Sequence, residues 1–268
     1  MKKPLPRIVL AGCTGYIGRE LVKLLLDSGY SIICPVRNIE KIPPYIFNRQ
    51  NIVIVNYQNL KETIEKSNLA PTFFVSCIAS RSGGVKDSWN VEYNINMKLL
   101  QLASKLKFRR FILLSAICVQ KPHLEFQKAK LAFENELQKS SIPHDVVRPT
   151  AFFKSLSGQI ERIKKGKSFL LFGNGELTSC KPISERDLCR FIKRLIEEKK
   201  QKSNIHIIGG PGPCITPIQQ GKILFRLLKK REKFYRINPK LFLLISWFLY
   251  PLSKVSSRLN DYREFLRI

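Results

Sequence analysis

Up to residue 150, short runs of consecutive apolar residues alternate with longer segments in which apolar residues recur at every third or fourth position. An unbroken apolar run is typical of a strand buried on both faces, and a repeat of roughly 3.6 residues is typical of a helix. The pattern predicts strands at 7–12, 31–36, 51–55, 72–77, 109–115 and 144–148, and helices at 16–28, 85–107 and 124–139. Strands that alternate with helices predict an α/β protein with a Rossmann-type, doubly wound parallel sheet.

Beyond residue 150 the pattern becomes less regular, with glycine and proline clustered at 209–213. Helices are predicted at about 185–199 and 217–230. We therefore expect two parts, a first domain over residues 1–150 and a smaller C-terminal substrate lobe over residues 151–268.

The first predicted strand leads into three glycines at three-residue spacing, Gly12, Gly15 and Gly18, which are followed by an amphipathic helix. In this setting the first glycine permits a tight turn, the second lets the backbone approach a pyrophosphate, and the third lets the helix pack on the sheet. The amino end of the helix faces the phosphate charge. Residues 1–150 are therefore predicted to bind a dinucleotide.

The end of the second predicted strand indicates which dinucleotide is bound. NAD sites usually carry a carboxylate there for the ribose 2′-hydroxyl, whereas this chain has Arg37 followed by Asn38. Because a guanidinium is suited to bidentate contact with a phosphate, the site is predicted to prefer NADPH.

The spacing of the glycines resembles that of extended and atypical short-chain dehydrogenases, including the NmrA-like group. The Tyr-x-x-x-Lys pattern of that superfamily is matched by Phe126 and Lys130, with a phenyl ring in place of the phenol. A phenyl ring cannot transfer a proton, so reduction of a carbonyl by the usual mechanism is disfavoured. Lys130 is assigned to the nicotinamide ribose and is the predicted catalytic residue. The predicted cofactor-binding residues are Gly12, Thr14, Gly15, Tyr16, Ile17, Gly18, Arg37, Ala79 and Lys130.

Composition adds two constraints. Seven cysteines, without a CxxC motif or a Cys/His cluster at zinc-ligand spacing, predict reduced thiols and no metal site. The formal net charge is +27, but the lysines are spread along the chain without a stacking-aromatic motif, so no specific nucleic-acid partner is expected.

Only six residues precede the first predicted strand, so we expect no leader segment before the fold.

Longer stretches resemble the divinyl chlorophyllide a 8-vinyl reductase family. The central ones are 113–122 (LLSAICVQKP), 124–130 (LEFQKAK) and 147–156 (VRPTAFFKSL). Shorter matches occur in the family's order at 82–89 (SGGVKDSW), 180–185 (CKPISE) and 208–212 (IGGPG).

The resemblance implies an NADPH-dependent oxidoreductase that acts on a CH–CH bond. Its substrate would be a divinyl chlorophyllide or protochlorophyllide, whose 8-vinyl group is reduced to ethyl in chlorophyll or bacteriochlorophyll synthesis. Phe152 and Phe153 follow the sixth predicted strand at its carboxyl end, where open α/β sheets bind ligands, and are assigned with His123 to the pigment, with core packing as the alternative for the two rings. Cys118, Lys121, His123 and Glu125 remain alternative proton donors, beside water. A plastid stroma or a bacterial cytoplasm is the expected compartment, and the oligomeric state stays open.

The longest apolar run, 241–252, contains Ser246 and Pro251 and is shorter than the roughly 20 apolar residues needed to cross a bilayer. The segment 241–259 is predicted to be a helix that docks peripherally on a photosynthetic membrane or caps the pigment pocket, with plain packing on the lobe as the alternative. For the whole chain, two alternatives to the reductase stay open. One is a non-enzymatic NmrA-like protein that binds NADPH as a sensor or a photosystem assembly factor, and the other is a nucleic-acid binder.

Overall fold

The computed structural model of the protein describes residues 7–42, 50–66, 71–198, 202–250, 259–261 and 266. Its main element is a seven-stranded sheet in the order β3-β2-β1-β4-β5-β6-β8. The strands are β1 (Arg7–Ala11), β2 (Ser31–Val36), β3 (Ile52–Asn56), β4 (Pro71–Ser76), β5 (Arg110–Leu114), β6 (His144–Pro149) and β8 (Asn204–Ile208). The pairings from β3 through β6 are parallel. The predicted doubly wound sheet is confirmed, and each of the six predicted strands is present to within one residue at either end.

Helices connect the strands. They are α1 (Tyr16–Asp27), α2 (Leu60–Lys66), a longer α3, α4 (Glu125–Lys139) and α5 (Glu185–Glu197). Helix α3 has three consecutive parts, an α-helical turn Val85–Ser88, a π-helical stretch Trp89–Ile95 and an α-helix Asn96–Lys105. The sequence predicted a single regular helix here, because periodicity does not reveal a local widening of the turn.

Both faces of the sheet are covered. On one face, Val9, Ile33, Phe74 and Phe111 pack in a buried cluster with apolar residues of α2, α3 and α4. The alternate strand residues, such as Ile8, point to the opposite face and are equally buried. Helices α1 and α5 pack against each other. Burial on both faces explains why the strands are apolar throughout instead of alternating.

Strand order reverses between β1 and β4, since β2 and β3 lie on one side of β1 and β4, β5 and β6 lie on the other. In open α/β sheets the ligand lies outside the carboxyl ends of the strands at such a point. The loops that follow β1 and β4 are therefore the ones to inspect for the predicted dinucleotide.

The chain divides into two compact units, and the division differs from the predicted one. The first unit contains Met1–Arg148 and also Glu185–Ile207, and the second contains Pro149–Ser184 and Ile208–Ile268. A break near residue 150 was expected, but α5 and β8 belong with the sheet and not with the C-terminal lobe. The difference arises because the chain returns to the sheet at Glu185, which only the fold shows.

The second unit has its own small sheet. Strand β7 (Phe169–Phe172) pairs in parallel with β9 (Phe234–Ile237), and a small core contains Ile163, Phe169, Leu171 and Phe225. Helix α6 (Pro217–Leu227) begins at a capping box formed by Thr216 and Gln219.

Helix α7 of the second unit spans Pro239–Phe248, so it begins two residues before the predicted helix 241–259. Most of its predicted second half, residues 251–258, lies outside the described residues. In the part of the chain that the structure describes, no helix has the length and apolar character needed to cross a bilayer.

Candidate functional site

The glycine loop between β1 and α1 depends on the absence of side chains. Gly12 has a φ of +85°, and a Cβ there would lie 2.6 Å from the backbone carbonyl of Cys77. A Cβ on Gly18 would lie 2.1 Å from the Gly12 carbonyl oxygen. Gly15 donates a hydrogen bond of 2.9 Å to that same oxygen and caps α1. The loop is thus a tight turn that places the amino end of a 12-residue helix at the carboxyl end of β1.

No acidic residue lies in the first turn of α1 to neutralise the positive end of the helix dipole. A helix start of this kind favours an anion such as a pyrophosphate, as the sequence predicts. Among the predicted contacts, Thr14 lies in the turn and is partly exposed, whereas the Ile17 side chain is buried in the core. At Ile17 only the backbone remains for a cofactor.

The Tyr16 hydroxyl already has a partner within the protein. It donates a hydrogen bond of 2.5 Å to Oε2 of Glu185, the first residue of α5. Burial and the neighbouring carboxylate raise the pKa of Tyr16 to about 12, and the phenol in turn lowers the pKa of Glu185. This predicted cofactor residue therefore also joins α1 to α5.

Arg37 lies where β2 ends, at the carboxyl edge of the sheet, and its side chain is exposed. No carboxylate forms an ion pair with it among the described residues. Burial raises the pKa of the nearby Tyr57, and the positive charge of Arg37 acts in the opposite direction by lowering that pKa. The guanidinium therefore stands at the strand end where dinucleotide sites select between a 2′-hydroxyl and a 2′-phosphate.

The loop after β4 is held by a carboxylate. Asp87 accepts hydrogen bonds from the Ser80 hydroxyl (2.6 Å), the Ser82 hydroxyl (3.0 Å) and the Arg81 backbone N–H (3.2 Å). These donors lower the pKa of Asp87, with the Ser80 hydroxyl as the largest cause. Ala79, the predicted cofactor residue in this loop, is exposed immediately before the segment that Asp87 fixes.

Lys130 lies on α4, and its side chain is only 11% exposed. Its Nζ lies 2.7 Å from Oε2 of Glu92, which is in the π-helical stretch of α3 and is 2% exposed. The other oxygen of Glu92 accepts a hydrogen bond of 2.8 Å from the Ser80 backbone N–H. The carboxylate thus joins Lys130 to the loop that contains Ala79, through the N–H of the next residue, Ser80.

A second buried carboxylate lies further along α4. Glu134 accepts hydrogen bonds from the Ser115 hydroxyl, after β5, and from Nε of Arg148 at 3.0 Å. It is fully buried and forms an ion pair with Arg148. Asp87, Glu92 and Glu134 were not predicted from the sequence. The available signal was a carboxylate within apolar helical positions, but its partners are distant in sequence.

The residues assigned to the pigment are distributed over both units. His123 is exposed in the first unit, just before α4, where its backbone N–H donates to Gln127. Phe152 pairs with Ile183 in an isolated bridge of the second unit, and the neighbouring Phe153 is 52% exposed. Their part in binding a pigment stays a prediction.

Of the four alternative proton donors, Cys118 lies close enough to Lys130 for the lysine charge to act on it. Burial raises the pKa of the Cys118 thiol, and the charge of Lys130 opposes this rise. All seven cysteines are free thiols, and the described residues contain no cluster of three or more His, Cys, Asp or Glu that could hold a metal ion.

Comparison with known proteins agrees with this site. Residues 12–199 match the NAD(P)H-binding protein family. The fold is similar to that of UDP-glucuronic acid 4-epimerase from Bacillus cereus in complex with NAD, with a TM-score of 0.74 over 87% of each chain. That likeness, at 16% identity, concerns the fold alone.

Curated relatives are more similar in sequence. The chain is 39% identical to the chloroplastic divinyl chlorophyllide a 8-vinyl-reductase of Arabidopsis thaliana and 41% identical to that of Zea mays. Each alignment covers 97% of this chain and 67% or 69% of the relative, so the chain spans about two thirds of their length. Similarity to the photosystem II assembly factor Ycf39 of Trieres chinensis is weaker, at 24% identity over 76% of the chain. The sheet, the glycine loop and these identities together establish that the chain belongs to the divinyl chlorophyllide a 8-vinyl reductase family, within the NAD(P)H-binding proteins.

Proposed function

We propose that this protein reduces the 8-vinyl group of a divinyl chlorophyllide or protochlorophyllide to an ethyl group, with NADPH as the reductant, in chlorophyll synthesis. The observation that carries the proposal is 39–42% identity to four reductases of that name. The weaker similarity to Ycf39 gives less support to the alternative, an assembly factor or a sensor that only binds the dinucleotide.

The residues of the first unit fit a nicotinamide dinucleotide. The space over Gly12 and Gly18 cannot hold a side chain, and the amino end of α1 is free of acidic residues. These features support a pyrophosphate at this loop. Arg37, with no carboxylate beside it in the described structure, supports NADPH over NADH.

Two residues support a reaction at a carbon–carbon double bond. When bound, the cofactor supplies a hydride to the terminal vinyl carbon, and the negative charge that develops is delocalised into the macrocycle before protonation. Phe126, which occupies the position of the usual tyrosine, cannot protonate an alkoxide, and this scheme does not require it to. Lys130, which the buried carboxylate of Glu92 holds in place, is proposed to bind and orient the nicotinamide ribose.

The test is a reduction assay with purified protein, divinyl chlorophyllide and NADPH. The expected product is the monovinyl pigment, detected by chromatography and by its shifted Soret absorption. The control is Gly18→Ala, in which the new Cβ is expected to disrupt the glycine loop. Wild-type protein that binds NADPH but forms no monovinyl product would contradict the proposal and favour the sensor alternative.

We also propose a location. The relatives are chloroplastic, which supports a plastid stroma for this protein. Helix α7 has Leu241 50% exposed, Ile245 38% exposed and Trp247 70% exposed, beside the exposed Lys240. Exposed apolar residues next to a cation support peripheral contact with an anionic photosynthetic membrane, where a hydrophobic pigment accumulates.

A further inference from the structure

Glu92 is a carboxylate almost without contact with solvent, and each of its oxygens has a different partner. Oε2 lies 2.7 Å from Nζ of Lys130, and Oε1 lies 2.8 Å from the Ser80 backbone nitrogen. One partner belongs to α4 and the other to the loop after β4. The carboxylate therefore joins two segments that each contain a predicted cofactor-binding residue, Lys130 in α4 and Ala79 in the loop.

The local backbone is arranged to place this carboxylate. The π-helical stretch Trp89–Ile95 includes Glu92, and π-helical turns occur frequently at functional sites. The side-chain amide of Asn96 donates a hydrogen bond of 2.9 Å to the Glu92 carbonyl, and Ser76 of β4 donates one of 2.6 Å to Asn96. Ser76 and Asn96 are both buried, so the backbone of Glu92 is fixed to the sheet in addition to the bonds that its side chain makes with Lys130 and Ser80.

Burial of a carboxylate opposes folding, because the charge loses its hydration. A buried apolar residue at this position would avoid that cost but would leave the Lys130 ammonium and the Ser80 N–H without these partners. The lysine side chain has several rotatable bonds, so a fixed carboxylate selects one of its many rotamers. This arrangement is better explained by a need for fixed geometry than by a need for stability.

We propose that Glu92 is a positioning residue that holds the Lys130 ammonium and the backbone of Ala79 and Ser80 together in the geometry that binds the nicotinamide ribose. The inference rests on the proposed role of Lys130 in the cofactor site and not on the identity of the pigment. Loss of the carboxylate should therefore weaken cofactor binding through Lys130, and its effect should disappear when Lys130 is absent.

The experiment is a double-mutant cycle on NADPH affinity, measured by fluorescence titration without pigment. Glu92→Gln keeps the size of the side chain and removes its charge, and it is expected to weaken NADPH binding by about tenfold or more. In the Lys130→Met background the same substitution should change the affinity by less than roughly twofold, because interacting residues do not contribute additively. Glu92→Asp, which keeps a shortened carboxylate, should restore part of the affinity.

Glu136→Gln is the matched control, because Glu136 is also a carboxylate that pairs with a lysine, Lys139, but this pair lies within α4 and is far more exposed than the pair of Glu92 and Lys130. It should bind NADPH as the wild type does. Equal effects of Glu92→Gln with and without Lys130 would overturn the proposal, as would unchanged affinity in a folded Glu92→Gln protein. If Glu92→Gln does not fold, the cycle is carried out with Glu92→Asp.

Turnover gives a second, separate readout. In the reduction assay Glu92→Gln should raise the KM for NADPH and lower kcat, whereas a merely structural role would change the melting temperature alone. Because the titration uses no pigment, a wild-type protein that binds NADPH without reducing the vinyl group would contradict the proposed reaction and leave the test of Glu92 intact.

Discussion

Ser80 donates its hydroxyl hydrogen to Oδ2 of Asp87 at 2.6 Å, so the loop after β4 is closed on the first turn of the following helix. The same carboxylate oxygen accepts bonds from the backbone and the hydroxyl of Ser82. A charged acceptor with several donors stabilises this loop. The order of this loop should therefore depend on the ionisation of one residue.

The pH dependence follows from the lowered pKa of Asp87. Because the folded pKa lies below the ordinary value of 3.8, the stabilisation is complete above that value and is lost as the pH falls through the folded pKa. The difference in unfolding free energy between wild type and Asp87→Asn should be constant from neutral pH to about pH 5 and shrink below pH 4. Urea denaturation at a series of pH values measures it, and a difference that grows toward acid pH would contradict the assignment.

Gly18→Ala tests the cofactor loop. The new Cβ would lie 2.1 Å from the Gly12 carbonyl oxygen, which is backbone and cannot rotate away. We expect a loss of about 1–3 kcal/mol in stability from overpacking and a loss of dinucleotide binding. Gly158→Ala is the control, since a Cβ there meets nothing within 4 Å. Thermal denaturation and NADPH titration of both variants measure the two losses. Equal stability and equal NADPH affinity of the two variants would contradict the steric argument.

Arg37→Asp tests the choice of dinucleotide. The carboxylate would repel a 2′-phosphate and accept a hydrogen bond from a 2′-hydroxyl, so NADPH binding should weaken far more than NADH binding. Fluorescence titration with both dinucleotides measures the ratio of the two affinities. Arg109→Asp, an equally large charge change at an exposed arginine before β5, should leave the ratio unchanged. An unchanged ratio in Arg37→Asp would exclude Arg37 from the 2′-phosphate site.

Lys130→Ala tests the predicted catalytic residue. It should abolish most turnover while the fold is retained, since the variant loses the group proposed to orient the nicotinamide ribose. Phe126→Tyr should retain activity, because the proposed reaction has no step for a phenol. Lys128→Ala, whose side chain is 43% exposed and pairs with Glu125, is the matched control and should be active. Near-normal turnover of Lys130→Ala in the reduction assay would rule out a catalytic role for this lysine.

Flotation with anionic liposomes tests the proposed membrane contact of α7. Wild-type protein should float at low salt, and Trp247→Ser combined with Leu241→Ser should reduce flotation because both side chains are at least half exposed. Leu227→Ser removes another apolar side chain of the second unit, 72% exposed on α6, and should have no effect. If flotation decreases with salt but is the same in the wild type and the Trp247→Ser, Leu241→Ser variant, the net charge of +27 alone accounts for binding.

The parts of the fold that could be predicted from sequence are those specified over short distances along the chain. Gly12 and Gly18 are required by contacts within the loop itself and with the start of the following helix, so their spacing was sufficient. Strands β1, β2, β4, β5 and β6 are largely buried and appear as apolar runs, and the edge strand β3 is apolar over 52–55 although Val53 is exposed. The other edge strand, β8, has His206 between the exposed Ile205 and Ile207, so its apolar run is interrupted and was not recognised.

The missed parts depend on contacts between distant residues. Lys130 and Glu92 are separated by 38 positions, and no local pattern pairs them. Strands β7 and β9 are separated by α5, β8 and α6, so each short strand is recognisable only beside its partner. Lys130 itself was found through a motif, whereas Glu92 belongs to no motif and is identified by its burial.

The return of Glu185–Ile207 to the first unit has a practical consequence for anyone who divides the protein. A fragment that ends at Arg148 would expose the edge of β6 normally covered by β8, together with the side of α1 against which α5 packs. Unpaired strand edges and newly exposed apolar surface promote aggregation. An isolated cofactor-binding unit is therefore better made by replacing residues 149–184 with a short linker and ending the chain at Ile207, which keeps α5 and β8 in place.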